Sequence, residues 1–105
     1  MAGESIADLG GAVIAWEAWQ RSLQGKPKPP VIDGFTPEQR FFLGFARARA
    51  SNTRIEALRL RINTDPHPAN KFRVNGPLSN MPQFASAFQC KAGDSMVRAD
   101  RCQIW

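Results

Sequence analysis

Tyrosine is missing altogether from this chain of 105 residues, and histidine and cysteine are scarce. One histidine, His67, and two cysteines, Cys90 and Cys102, cannot by themselves build a multi-histidine or cysteine-rich metal site. Neither Gly-x-x-x-x-Gly-Lys-Ser/Thr nor Gly-x-Gly-x-x-Gly occurs, which removes both familiar phosphate-cradling loops. Long apolar runs are lacking too. The longest, Ala12 to Trp16, falls far short of the ~20 residues that a membrane-spanning helix needs. The opening residues Met1-Ala2-Gly3-Glu4-Ser5 have neither the basic stretch nor the apolar stretch of a secretory signal. A complete enzyme is hard to assemble from this inventory.

What is present suits one folded unit. The apolar share is 43% against 22% charged, enough for a packed core. The net charge of +5 is unevenly spread. Residues 1–35 hold three basic and four acidic groups, and residues 36–105 hold eleven basic and five acidic. Arg40, Arg47, Arg54 and Arg61 recur every seven residues, so a continuous helix would gather them near one face, with Arg49 and Arg59 beside them. Such a stripe could meet phosphates, an acidic protein surface or solvent. No aromatic is interleaved to stack bases, so nucleic acid is not the expected partner. A stand-alone basic interaction module remains the alternative to the enzyme reading below.

Apolar periodicity predicts a helix from Ser5 to Leu23 on Ile6, Leu9, Val13, Trp16 and Leu23. The pair Gly10-Gly11 inside it implies a close approach by something packed there, since each glycine costs about 1 kcal/mol against alanine. Gly25 and Lys26-Pro27-Lys28-Pro29-Pro30 end the helix. Thr36-Pro37-Glu38-Gln39 reads as a capping box with proline at the first helical position, leading into Phe41, Phe42 and Phe45 as a buried face. After a break near Ser51-Asn52-Thr53, Ile55, Leu58 and Ile62 predict a third helix with a buried stripe. Residues 64–80 read as loop, with Asn75-Gly76-Pro77 a turn. A short last helix follows Asn80, with Phe84 and Phe88 on one face. The expectation is a mainly α chain of about four helices joined by Pro/Gly-rich loops.

Glu4 and Asp8 stand four apart, on one face of a helix and one turn from each other. The string around them, Gly3-Glu4-Ser5-Ile6-Ala7-Asp8-Leu9-Gly10-Gly11, resembles the Gly-Glu-Asn-x-Ala-Asp-x-Gly-Gly motif of the neprilysin family of zinc metallopeptidases, which includes endothelin-converting enzymes. The likeness continues through Val31 to Thr36, Gln39 to Gly44, Thr64-Asp65-Pro66-His67, Phe72 to Gly76, Leu78-Ser79-Asn80 and Cys102-Gln103-Ile104-Trp105. It implies that residues 1–105 are the C-terminal portion of a single thermolysin-like catalytic domain. The family's His-Glu-x-x-His, which brings two zinc ligands and the base that activates water, is not in this sequence.

By this resemblance Glu4 is the third protein ligand to zinc, and Asp8 accepts the free ring N–H of a zinc-bound histidine. His67 donates to the oxyanion of the tetrahedral intermediate, and Arg73 holds a substrate carbonyl. Ala48 and Arg49 stand where relatives often carry Val-Trp lining the pocket for the residue after the scissile bond, so a preference there for large apolar side chains is not expected. The expected activity is hydrolysis of peptide bonds by a zinc metalloendopeptidase. Its partners would be a peptide substrate and the upstream part of the domain, with these 105 residues alone inactive and holding no zinc. Cys90 and Cys102 can pair with each other, remain free thiols or, as in relatives, bridge to upstream segments. Disulfide use implies a periplasmic, secreted or cell-surface protein.

Overall fold

A computed structural model describes residues 1–104; Trp105, the last residue of the terminal motif, lies outside them. Five helices follow one another: α1 Ala2–Ser22, α2 Pro37–Arg47, α3 Ile55–Thr64, α4 Asn70–Ser79 and α5 Pro82–Ala87. The mainly α expectation holds, with one helix more than predicted. Among the described residues no helix is long and apolar enough to cross a membrane.

The extra helix is α4, which runs through the expected turn at Asn75-Gly76-Pro77. Pro77 sits in its last turn, so the chain forfeits one amide donor where few helical bonds remain. Pro77 and Leu78 are buried, and α4 packs chiefly on α1. The Gly76 carbonyl accepts from Ser79 Oγ at 2.9 Å and from Asn80 Nδ2 at 2.8 Å. Tertiary packing here outweighs the local signal, which in isolation disfavours helix by about 3 kcal/mol.

α2 starts as its sequence dictates. Thr36 Oγ1 accepts from the Gln39 amide at 3.1 Å, and Gln39 Oε1 accepts from the Thr36 amide at 3.0 Å. Gln39 Nε2 also donates to the Ala87 carbonyl at 3.0 Å, tying α2 to the end of α5. Ahead of it, Asp33 and Gly34 both take positive φ, 52° and 79°. That is the backbone a two-residue turn needs to pair Ile32 with Phe35. Arg40 Nη1 closes this loop by donating to the carbonyls of Pro30 and Phe35 at 2.9 and 2.7 Å. The arginine stripe therefore does not form one face. Arg40 is spent on a loop, and the break after Arg47 puts Arg54 and Arg61 on a separate segment.

Leu9, Ala12, Phe42, Leu78 and Met81 form the buried core. Aromatic rings extend it: Trp16 stacks on Phe42 at 5.0 Å, Phe42 meets Phe84 edge-on at 5.4 Å, and Phe84 lies 5.0 Å from Phe88. Of the predicted stripes, that of α3 is not buried. Ile55 and Ile62 are 51% and 57% exposed, because α3 leaves the bundle after the extended stretch that follows α2. Gly10 is buried in α1, whereas an added Cβ on Gly11 would meet nothing within 4 Å among the described residues, so Gly11 itself is not a point of close approach.

The chain exposes 7522 Å², against about 5,900 Å² for a compact monomer of this mass. Its radius of gyration is 15.3 Å, where about 13 Å is usual. Ile6, Ile14, Leu60 and Phe72 are among the large apolar side chains left more than half exposed. Cys90 is half-buried, Cys102 is exposed, and the two are not paired with each other.

Candidate functional site

α1 runs unbroken from Ala2, so Glu4 and Asp8 do occupy one helical face, with Glu4 in the first turn. α4 lies against that helix and brings Arg73 to Asp8 from 65 residues away in sequence. Arg73 Nε donates to Asp8 Oδ2 and Nη2 to Oδ1, both at 2.8 Å, a two-pronged pair that is largely buried. Hydrogen bonding from Arg73 holds the Asp8 carboxyl below its ordinary pKa, outweighing burial, which acts the other way. The same carboxylate pushes the Arg73 guanidinium up. Arg49 reaches the site from the chain just past α2, with Nη2 at 3.6 Å from Asp8 Oδ1.

His67 stays on the loop between α3 and α4, where flanking prolines forbid helix. Its ring is fixed by Asp65: Nδ1 lies 2.8 Å from Asp65 Oδ1, and the same oxygen accepts the His67 backbone N–H at 2.9 Å. Those two contacts, the backbone one first, hold the Asp65 carboxyl below its usual range. With Nδ1 turned to Asp65, Nε2 faces Glu4 Oε2 at 3.6 Å. Glu4, Asp8, His67 and Arg73, separated in sequence, thus converge at one end of α1. Beside them is a recess of about 190 Å³ lined by His67, Arg73, Asn70, Arg61 and Leu58. Another, of about 170 Å³ beneath Asn80, Cys102 and Ile104, contains none of Glu4, Asp8, Ala48, Arg49, His67 or Arg73.

Asp8 is engaged by two arginines here, rather than by an imidazole. Ala48 is exposed at the C-terminal end of α2 and Arg49 is half-buried beside Asp8. Asp65 was not singled out by the sequence reading, although an aspartate two residues before a histidine has the reach to accept that residue's amide. Among the described residues, no three histidine, cysteine, aspartate or glutamate side chains form a group able to hold a metal ion. Glu4 suits the part of one ligand: its carboxylate is 41% exposed and its ion pair among the described residues is with the far nitrogen of an anchored imidazole.

The family model for peptidase family M13 matches residues 1–104. An endothelin-converting enzyme homolog from Locusta migratoria is 40% identical over 105 residues, covering 98% of this chain and 14% of the relative. Neprilysin-3 of Drosophila melanogaster is 41% identical, again over 98% of this chain and 14% of its own length. The crystal structure of the Mycobacterium tuberculosis zinc metalloprotease Zmp1 with an inhibitor superposes with a TM-score of 0.90 at 41% identity, covering 98% of this chain and 16% of that one. The chain therefore spans about one-seventh of the length of these relatives.

Proposed function

The chain belongs to peptidase family M13, and on that footing we propose that it is the C-terminal portion of the catalytic domain of a zinc metalloendopeptidase. The observation that carries this is the convergence of Glu4, Asp8, His67 and Arg73 at one end of α1. The excess surface and the uncovered α3 support a unit that shares its apolar faces with further protein. Nothing found supports the alternative of a nucleic-acid or acidic-surface module.

Bound zinc would supply Lewis acidity to polarise the scissile carbonyl and activate water. Glu4 supplies one carboxylate ligand, which offsets part of the metal's charge. The other ligands and the base for the water come from outside these residues, so the chain alone is inactive and holds no zinc. Asp8, already held in place by Arg73, orients a ligand histidine brought by the upstream segment. His67, donating from Nδ1 to Asp65, would in its imidazolium form also present Nε2–H to the developing oxyanion. Arg73 spends two of its five N–H donors on Asp8, leaving donors free for a substrate carbonyl. Ala48 and Arg49 line the pocket for the residue after the scissile bond. Cys90 and Cys102, unpaired with each other, are free to bridge to upstream cysteines in a periplasmic, secreted or cell-surface protein.

Purified full-length protein carrying this chain should cleave an unstructured peptide between internal residues, stop when chelated, and resume on adding zinc. Cleavage indifferent to chelation, or none by zinc-loaded folded protein, would overturn the reading.

A further inference from the structure

We propose that Arg49, beside Asp8 and one helical turn from the metal ligand, forms a carboxylate-recognition subsite, selecting substrates with an anionic group just after the scissile bond. The proposal rests on the peptidase reading and adds a substrate class to it. Arg73 takes both oxygens of Asp8 at 2.8 Å. Arg49 Nη2 stays at 3.6 Å, outside hydrogen-bonding distance, so it is attracted to Asp8 without committing a donor. At Asp8 itself two guanidiniums face one carboxylate, and Arg73 already takes both of its oxygens, so Arg49 is left without a hydrogen-bonded counter-ion there. The open side presents the charge of Arg49, whose side chain is 35% exposed against 13% for Arg73.

Asp8 is about one helical turn, ~6 Å along the axis, from Glu4, so this charge lies close to where the reacting bond would sit. A guanidinium offers two parallel donors that match a carboxylate. An apolar side chain docked against it would strip its water and return no partner, which is unfavourable. Ala48, small and exposed, leaves the approach open. The anionic group can be an acidic side chain or the terminal carboxylate of a short substrate.

The test is kcat/KM of the zinc-loaded full-length protein on peptides identical except for Glu, Gln or Phe after the scissile bond, each with a free or an amidated C-terminus. Glu should exceed Gln by roughly 10-fold or more, as a hydrogen bond to a charged group warrants. If amidation matters and Glu and Gln do not differ, the carboxylate recognised is the terminal one and the subsite stands. The discrimination should vanish in Arg49→Trp and persist, reduced, in Arg49→Lys. A second readout needs no turnover: calorimetric binding of the dipeptide Glu-Gly to metal-free protein should exceed that of Gln-Gly, and Arg49→Trp should abolish the difference. Efficient cleavage with Phe preferred, no Glu–Gln difference and no effect of amidation would overturn the subsite and leave the peptidase intact. Failure to cleave any peptide would overturn both.

Discussion

Arg73 grips both oxygens of Asp8, through Nε and Nη2 at 2.8 Å each, and so fastens α4 to α1. The pair does two jobs at once. It adds a polar clamp to the packing of α4 on α1, and it sets the orientation of a carboxylate one turn from Glu4.

The pair makes stability depend on pH in one direction. Folding lowers the Asp8 pKa, so its contribution is complete above the ordinary carboxylate value and disappears as pH falls through the lower folded value. Asp8→Asn should therefore cost about 1–3 kcal/mol at neutral pH. Thermal melts of both forms should converge as the pH drops below about 4. An undiminished gap in acid would mean that the asparagine disrupts packing rather than removing a charge.

Asn80 is predicted to hold the tail. Its side chain is buried, donates to the Gly76 carbonyl at 2.8 Å and accepts the Cys102 amide at 2.7 Å. Asn80→Ala would orphan both partners and should destabilise by about 1–3 kcal/mol. Hydrogen exchange should speed up at the Cys102 amide before it does in α1 or α2.

His67→Phe should lower kcat of the full-length enzyme by roughly 100- to 1,000-fold, the scale of one oxyanion donor. Zinc content and KM should remain near normal, because the lost bond forms mainly in the transition state. Asp65→Ala should give a smaller loss of kcat, since the imidazole remains but loses the partner at 2.8 Å that fixes its ring. A rise in KM alone for His67→Phe would return this histidine to an ordinary loop role.

Much of this was readable in the chain itself, for physical reasons that differ by segment. The capping box at Thr36 and Gln39 is local chemistry, so four consecutive residues reveal it. Glu4 and Asp8 share a face because helical periodicity alone guarantees it. His67 and Arg73 carry no local pattern, and only likeness to a family singled them out. α4 was hidden because Gly76 and Pro77 disfavour helix locally, while the contacts that override them come from α1. The α3 stripe misled in the opposite sense, since its period is helical but nothing among the described residues covers it. Arg49 beside Asp8 is a contact between a segment after α2 and a face of α1, which no spacing in sequence encodes.

The central claim is that Glu4 supplies a zinc ligand to a larger metallopeptidase, and metal content tests it most directly. Zinc per chain should be measured after exhaustive dialysis for the full-length protein and for Glu4→Gln, which keeps the shape and removes the charge. The account predicts one tightly held zinc in the former, and in the latter a zinc lost or loosely held together with collapsed peptide hydrolysis. A full complement of zinc bound with unchanged affinity by Glu4→Gln would contradict it.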